Sequence, residues 1–134
     1  MLNDAAALIA RLLMACVFVP NGFWKLSDIG GITSYFASLG FPLPTLVAWG
    51  TGIFELVAGI CILLGFQTRI VAFLLAAFCV VAGFTGNLGQ GGDDPMLAFL
   101  YKQAFLKDIG LAGGFLALGL YGAGKFSLDA ARRG

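Results

Sequence analysis

Residues 46–66 read LVAWGTGIFELVAGICILLGF, an apolar run interrupted by one charged residue, Glu55. A helix needs about 20 mostly apolar residues to cross the hydrocarbon core of a bilayer. The run is therefore long enough to span a membrane once. Three more runs of similar character lie at residues 5–23, 70–86 and 105–121. We therefore predict four membrane-spanning helices in one domain, 1–134.

The composition of the whole chain agrees with this prediction. Of its 134 residues, 60% are hydrophobic and 11% are charged, and the mean hydropathy is +0.95. Soluble domains carry about 25% charged residues, so a soluble globular domain or a disordered chain is excluded. The net charge of +1 offers no basic face to nucleic acid. The composition leaves an integral membrane protein, whose surroundings are the lipid bilayer.

Residues that bind metals or form disulfides are scarce in this chain. It has no histidine, and its three cysteines stand singly inside apolar runs, at Cys16, Cys61 and Cys79. The spacings typical of zinc, haem and iron–sulfur sites are therefore missing from the sequence. An odd cysteine count also argues against a disulfide framework. We predict no metal site and no covalently bound cofactor.

Residues 24–45, between the first two runs, are more polar than their neighbours. A glycine pair at 30–31 and an extended stretch at 41–44, FPLP, bound a shorter segment at 32–40. This segment is too short to cross a bilayer, and its large apolar residues share one helical face. It predicts an interfacial or re-entrant helix between spans one and two. The predicted fold class is an all-α membrane protein, a four-transmembrane-helix bundle with this short helix.

The fourth helix is predicted to begin well before the fourth apolar run. The Asp-Pro pair at 94–95 is typical of a helix start, with an acidic cap and proline in the first position. The charge-free stretch that follows is too short to cross a bilayer alone. The membrane-spanning part therefore includes Lys107 and Asp108. A GxxxG motif at 110–114 permits close approach of another helix, as in a homo-oligomer or a partner subunit.

The distribution of basic residues predicts the orientation. Four spans place both termini on one side, and cytoplasmic loops carry the excess of Lys and Arg. One side holds three basic residues, Lys25, Lys102 and Lys107. The side of the termini holds five, which are Arg11, Arg69, Lys125, Arg132 and Arg133. We therefore predict that both termini are cytoplasmic.

A few charged residues fall inside the predicted spans. A charge at the bilayer centre costs at least about 2.5–3.5 kcal/mol, so such residues face one another, water or a site. Arg11 lies in span one, Glu55 in span two and Lys107 near the head of span four. Further polar candidates at the span ends are Lys25, Asn21 and Asp108.

The depths of these charges predict one buried polar cluster. The helical rise places Glu55 roughly 14 Å below the outer end of its span and Arg11 roughly 9 Å above the inner end of its own. In a core of about 30 Å, a long side chain bridges the remaining gap. We therefore expect Glu55 at the centre, Arg11 below it, and Lys107 and Lys25 above it. Two interpretations stay open: an ion pair that locks the bundle, or a site open to the outside for a quinone headgroup, a proton or a small anion.

A set of short motifs follows these charges in a fixed order. They are Arg11, then NGFWKL at 21–26, YFASLGFP at 35–42, ELVAG at 55–59, LGFQTR at 64–69, Lys107 with a following glycine pair at 113–114, and GAGKFSLD at 122–129. In this order and spacing the chain resembles the DoxX family of small four-helix membrane proteins over nearly its whole length.

The resemblance implies a multi-pass protein of the bacterial cytoplasmic (inner) membrane. Members of the family are linked to membrane oxidoreductase systems, including thiosulfate:quinone oxidoreductases. The recurrent Arg, Lys and Glu positions of the family fall on Arg11, Lys25, Glu55 and Lys107. Several relatives carry histidines near the end of span three, where this chain reads NLGQ at 87–90. A metal or proton-relay role that depends on those histidines is therefore not expected.

The resulting functional hypothesis is a membrane subunit of a redox system. No motif in the chain carries electrons by itself, so they would reside on a bound quinone or on a partner oxidoreductase. One alternative is a non-enzymatic assembly or stabilising subunit of a larger membrane complex. Another is a small-solute or proton transporter.

Overall fold

The computed structural model describes residues 2–133, and every regular element in that range is a helix. The elements are α1 (Leu2–Ser27), α2 (Ile29–Ser38), α3 (Pro44–Leu64), α4 (Thr68–Ala82) with a π-helical turn (Gly83–Asn87), α5 (Pro95–Tyr121) and α6 (Leu128–Arg133). Four helical stretches are long and apolar enough to cross a membrane: Asn3–Ser27, Pro44–Leu64, Thr68–Asn87 and Pro95–Tyr121. The predicted all-α membrane protein with four spans is thereby confirmed.

The described chain forms two compact units. One comprises residues 2–68 and 122–133, and the other comprises residues 69–121. The first unit contains α1, α2, α3 and α6, and the second contains nearly all of α4, the π-helical turn and α5. Residues 1 and 134 of the predicted domain lie outside the described range. The prediction of one domain, 1–134, stays a prediction.

Close packing of α1 on α3 organises the first unit. A Cβ added to Gly22 of α1 would lie 2.5 Å from the Leu56 backbone nitrogen, and one added to Gly59 of α3 would lie 2.9 Å from the Val19 side chain. Only glycine permits such a close approach of the two helices. Small residues at the interface commonly allow helices in membranes to pack in this way. The buried stripe of α3 comprises Ala48, Gly52, Glu55, Ala58, Gly59 and Ile62. Glu55 therefore sits within a stripe of small residues.

The predicted short helix between spans one and two is present as α2. It starts at Ile29, before the predicted start at residue 32, because the Asp28 side chain caps it and accepts from Gly31 N at 3.3 Å. The glycine pair at 30–31 therefore does not break the helix. These residues occupy its first turn, where backbone N–H groups have no partner inside the helix. Gly40, at φ 85°, follows the end of α2.

The C-terminal residues form part of the first unit. The Asp129 carboxylate accepts hydrogen bonds from Gln67 N at 2.7 Å and from Thr68 N at 2.8 Å. The Asp4 side chain accepts one from Lys125 N at 3.0 Å. These contacts connect residues more than 60 positions apart in sequence. They fix the C-terminal segment against the N-terminal end of α1 and the turn after α3.

In the second unit, α4 and the π-helical turn contact α5 at two places. The Arg69 guanidinium donates to the carbonyl oxygens of Gly119 and Leu120, at 3.2 and 2.7 Å. A basic side chain near a helix C-terminus satisfies carbonyls that have no helical partner. Near the opposite ends, Asn87 Nδ2 donates to Asp108 Oδ2 at 2.7 Å. The two helices therefore lie antiparallel within this unit.

A buried lysine–glutamate pair as the candidate functional site

The first unit contains a buried ion pair between two of the predicted site residues. Lys25 Nζ lies 2.6 Å from Glu55 Oε1. The Glu55 side chain is 5% exposed, whereas the Lys25 side chain is 21% exposed. Glu55 is near the middle of α3, and Lys25 is in the last turns of α1. The pair therefore joins the two helices, and its lysine is the more exposed of the two side chains.

The local sequence explains why these two side chains meet. A Cβ on Gly52 would lie 3.2 Å from Lys25 Cβ, so the lysine passes directly over a residue without a side chain. Gly52 and Glu55 are three positions apart and share one face of α3. The close approach at Gly22 brings the α1 backbone within reach. The small residues that pack the helices therefore also bring the ammonium to the carboxylate.

An aromatic group covers the ammonium from the side of α2. Lys25 Nζ lies 5.7 Å from the centroid of the Phe36 ring, within the range of a cation–π interaction. Phe36 is buried, and its ring centroid lies 5.3 Å from those of Tyr35 and Phe41. The site thus combines one cation, one carboxylate and an aromatic wall. The sequence placed Phe36 in the YFASLGFP motif and on the apolar face of the short helix, but it did not indicate a contact with Lys25.

Pairing allows the charges of Lys25 and Glu55 to lie inside the membrane-spanning helices. Removing one member of a buried pair leaves an uncompensated charge and typically destabilises a protein by about 3–5 kcal/mol. Together the two groups present a donor and an acceptor without a net charge. Such a pair can exchange hydrogen bonds with a polar ligand inside an otherwise apolar span.

Arg11 occupies a different place from the one expected. Its side chain is fully buried and donates from Nη1 to Ile62 O at 3.3 Å and to Leu63 O at 3.0 Å. Its Nη2 donates to Phe126 O. These carbonyls of α3 lie roughly 10 Å along the helix from Glu55, where the last helical carbonyls lack partners. Arg11 therefore joins α1, the end of α3 and the C-terminal segment instead of lying directly below Glu55.

The remaining predicted site residues take other positions. Lys107 is exposed on α5, and Asp108 accepts the hydrogen bond from Asn87. Both belong to the second unit. Asn21 is exposed on α1. Of the predicted cluster, the structure brings Lys25 and Glu55 together. Among the described residues, no group of three His, Cys, Asp or Glu side chains could hold a metal ion.

Asp129 is a polar residue with a clear role that the sequence reasoning did not select. Burial acts to raise the pKa of its carboxyl group, but the backbone donors of Thr68 and Gln67 and the charge of Arg132 lower that pKa below its ordinary value. The only sequence signal was the final position of the GAGKFSLD motif. Asp129 supports the end of the first unit and does not contact the Lys25–Glu55 pair in any observed hydrogen bond.

Within residues 2–133, the four apolar spans and the Lys25–Glu55 ion pair define a small polytopic membrane protein with a polar site between two helices. The chain belongs to the DoxX family, whose model matches residues 6–88. The matched region covers Arg11, Lys25 and Glu55 and ends before α5, which carries Lys107.

Three relatives extend this assignment. The chain is 32% identical to Inner membrane protein YqjF of Escherichia coli (strain K12), covering 96% of this chain and 92% of the relative. It is 35% identical to Inner membrane protein YphA of the same organism, covering 91% and 86%. It is 29% identical to the protein named "Putative oxidoreductase CatD" of Bacillus subtilis (strain 168), covering 63% and 62%. No solved structure matches the chain.

Proposed function

We propose that this protein is a membrane subunit of a redox system and that the Lys25–Glu55 pair binds the polar headgroup of a quinone. The observation that carries this proposal is the 2.6 Å ion pair inside the spans, with Phe36 over the ammonium. The name of the B. subtilis relative describes an oxidoreductase and lends the proposal support. The names of the two E. coli relatives support a location in the bacterial inner membrane.

The residues present fit a quinone headgroup. An ammonium group carries three N–H donors, and a carboxylate accepts hydrogen bonds at both oxygens. The Phe36 ring provides a flat apolar surface beside the ammonium. Ligand sites of this kind are mostly apolar, with a few polar groups that fix orientation. When bound, a quinone supplies two-electron chemistry coupled to proton uptake at its carbonyl oxygens.

The chain's own residues would orient the quinone headgroup and keep water away from it. Lys25 donates a hydrogen bond toward a carbonyl oxygen, because its side chain remains partly exposed. Glu55 Oε1 accepts a hydrogen bond from Lys25 Nζ and so holds the lysine side chain beside the ligand. Tight packing at Gly22 and Gly52 excludes water from the α1–α3 side. Electrons would come from, or pass to, a partner oxidoreductase.

Binding of decylubiquinone to the purified chain tests the proposal. Trp24 precedes Lys25 and Trp49 is on α3, so quenching of their fluorescence reports a quinone at this site. We expect saturable quenching in the wild type and about tenfold weaker binding for Glu55→Gln, since a hydrogen bond to a charged group is lost. Far-UV circular dichroism checks that the variant keeps its helices.

A double variant and a control separate binding from folding. Lys25→Gln with Glu55→Gln leaves no lone charge and should fold, but it lacks the ammonium and should bind the quinone weakly. Lys125→Gln removes an exposed lysine of the C-terminal segment and should bind like the wild type. If the folded double variant binds the quinone as strongly as the wild type, the proposal is contradicted. The ion pair would then only hold α1 and α3 together.

A second candidate function is that of an assembly subunit, with a partner subunit or a second copy of the chain packed on α5. Gly110 and Gly113 of α5 are both exposed. No atom of the second unit lies within 4 Å of a Cβ built on either glycine. Exposed glycines on a membrane helix suit close packing of another helix. Gly110→Leu should then abolish a crosslinked dimer or the co-purification of a partner, and an unchanged complex would argue against this role.

A further inference from the structure

A cavity in the second unit lies outside the site described above. It measures about 470 Å³ and lies between the π-helical turn, the loop at 88–94 and the first half of α5. Its polar lining groups are Asn87, Gln90 and Lys102, and its apolar wall includes Leu88, Phe105 and Leu106. Cavities of roughly 300–1,000 Å³ accommodate small ligands.

The loop that forms this cavity is held in place by specific contacts. A Cβ on Gly91, at φ 103°, would lie 2.5 Å from the Ala98 backbone, so the loop rests directly on α5. Asp94 accepts hydrogen bonds from Met96 N at 3.0 Å and Leu97 N at 3.3 Å, which caps α5. Leu88 N donates to Gly83 O at 3.0 Å and closes the π-helical turn. The cavity is therefore part of the fold of this unit.

The position of the cavity along the helices indicates its surroundings. The candidate span Thr68–Asn87 has 20 residues, and a helix of that length covers about 30 Å, the thickness of the hydrocarbon core. Asn87 is hydrogen-bonded to Asp108, so this part of α5 is level with the end of that span. Lys102 precedes Asp108 and lies farther from the bilayer centre. The cavity thus opens at the depth of lipid headgroups.

The chemistry of the lining favours an acceptor group with a negative charge. Lys102 contributes an exposed ammonium and Gln90 contributes an amide donor, whereas the Asn87 amide already donates to Asp108. No carboxylate belongs to the lining; Asp94 is engaged in capping α5, and Asp108 accepts from Asn87. Leu88 and Leu106 are about half exposed beside these donors. The combination of a cation, an amide donor and exposed apolar side chains suits an amphiphile better than a free ion.

We propose that this cavity binds the phosphate group of a membrane phospholipid. Lys102 pairs with the phosphate, Gln90 donates to its oxygens, and the acyl chains lie along Leu88 and Leu106. A lysine near an anionic headgroup contributes to binding through its charge. The proposal is independent of the Lys25–Glu55 site, because it uses residues of the other unit.

Native mass spectrometry of the full-length chain in detergent tests this site with two defined lipids. The probes are phosphatidylglycerol and a diacylglycerol with the same acyl chains and no phosphate. We expect the wild type to bind phosphatidylglycerol about tenfold more tightly than diacylglycerol. Lys102→Gln should remove this difference, and the matched control Lys125→Gln should keep it. Lys102 is exposed, so its replacement leaves the packing intact.

A second variant and a competition experiment complete the test. Ala98→Phe fills the cavity from α5 and should weaken phosphatidylglycerol binding by a similar factor. If both cavity variants bind phosphatidylglycerol like the wild type, the site is wrong. If inorganic phosphate at millimolar concentration displaces the lipid completely, the cavity binds free phosphate and the lipid assignment is overturned. Persistence of the bound lipid in phosphate supports it.

Discussion

At the scale of single residues, the charges inside the spans carried the most information. The high cost of a charge in lipid singled out Glu55 as a residue that needs a partner. Lys25 is that partner, at 2.6 Å. The partners of Arg11 could not be predicted, because helical rise gives the depth of a residue and not the side of the helix it faces. Backbone carbonyls such as Leu63 O leave no signature in a sequence.

A double-mutant cycle measures how strongly the pair is coupled. Lys25→Met leaves the buried carboxylate of Glu55 alone and should reduce the free energy of unfolding by about 3–5 kcal/mol. Glu55→Leu leaves the partly exposed ammonium of Lys25 alone and should cost less. The double variant should recover most of that loss, because no charge remains unpaired. Unfolding in mixed micelles, followed by circular dichroism, gives the three values. Losses that simply add would show that the two side chains are not paired.

At the scale of elements, the predicted helices are present but their contacts were only partly foreseeable. The GxxxG motif at 110–114 was interpreted as a surface for another helix, and this stays a prediction, since no atom of its own unit lies within 4 Å of a Cβ on Gly110. The close approach between α1 and α3 uses Gly22 and Gly59, which belong to different helices. A motif search within one helix cannot detect such a pair. The capping role of Asp129 was missed for the same reason, since its partners lie more than 60 residues away.

Two glycine substitutions test the α1–α3 packing. Gly22→Ala places a methyl group 2.5 Å from the Leu56 backbone, so the helices must separate. We expect a loss of about 1–3 kcal/mol in the free energy of unfolding, as for other overpacked sites. Gly50→Ala on α3 is the matched control, since nothing lies within 4 Å of its Cβ. It should be neutral or stabilising by up to about 1 kcal/mol. Equal effects of the two variants would refute the packing.

The C-terminal contact predicts a pH dependence of stability. The folded-state pKa of Asp129 is lowered, so its contribution is present above the pKa of the unfolded chain and is lost as the pH falls through the folded value. Asp129→Asn should therefore melt at a lower temperature than the wild type at pH 7. The gap should close on acidification below about pH 4, the ordinary range of an aspartate. Melting curves from pH 7 to pH 3 measure it, and a constant gap would contradict this role.

At the scale of the whole molecule, composition predicted an integral membrane protein, and the lengths of the apolar runs predicted that its spans are helices. A chain that is 60% hydrophobic and 11% charged can satisfy its backbone in lipid only by forming helices or a closed barrel. Four apolar runs, each about as long as a membrane-spanning helix, then predicted the number of spans, which the structure confirms. Side-chain pairing across helices needs three-dimensional information, which explains why the sequence could not show that Glu55 pairs with Lys25 while Arg11 contacts backbone carbonyls.

The orientation in the membrane is a separate prediction from the charge distribution. Five basic residues against three favour both termini in the cytoplasm. Green fluorescent protein fused to the C-terminus should fluoresce, and alkaline phosphatase fused there should stay inactive. Fusion within the loop at 88–94 should give active phosphatase. The opposite pattern would reverse the assigned orientation.

The central claim is that Lys25 and Glu55 form a ligand site and not only a lock between two helices. The most direct test is an experimental structure of the chain crystallised from a lipid phase that contains decylubiquinone. We predict a headgroup with one carbonyl oxygen within hydrogen-bond distance of Lys25 Nζ and its ring beside Phe36. A closed pair, with Glu55 still at about the 2.6 Å found here and no ligand density next to it, would contradict the claim.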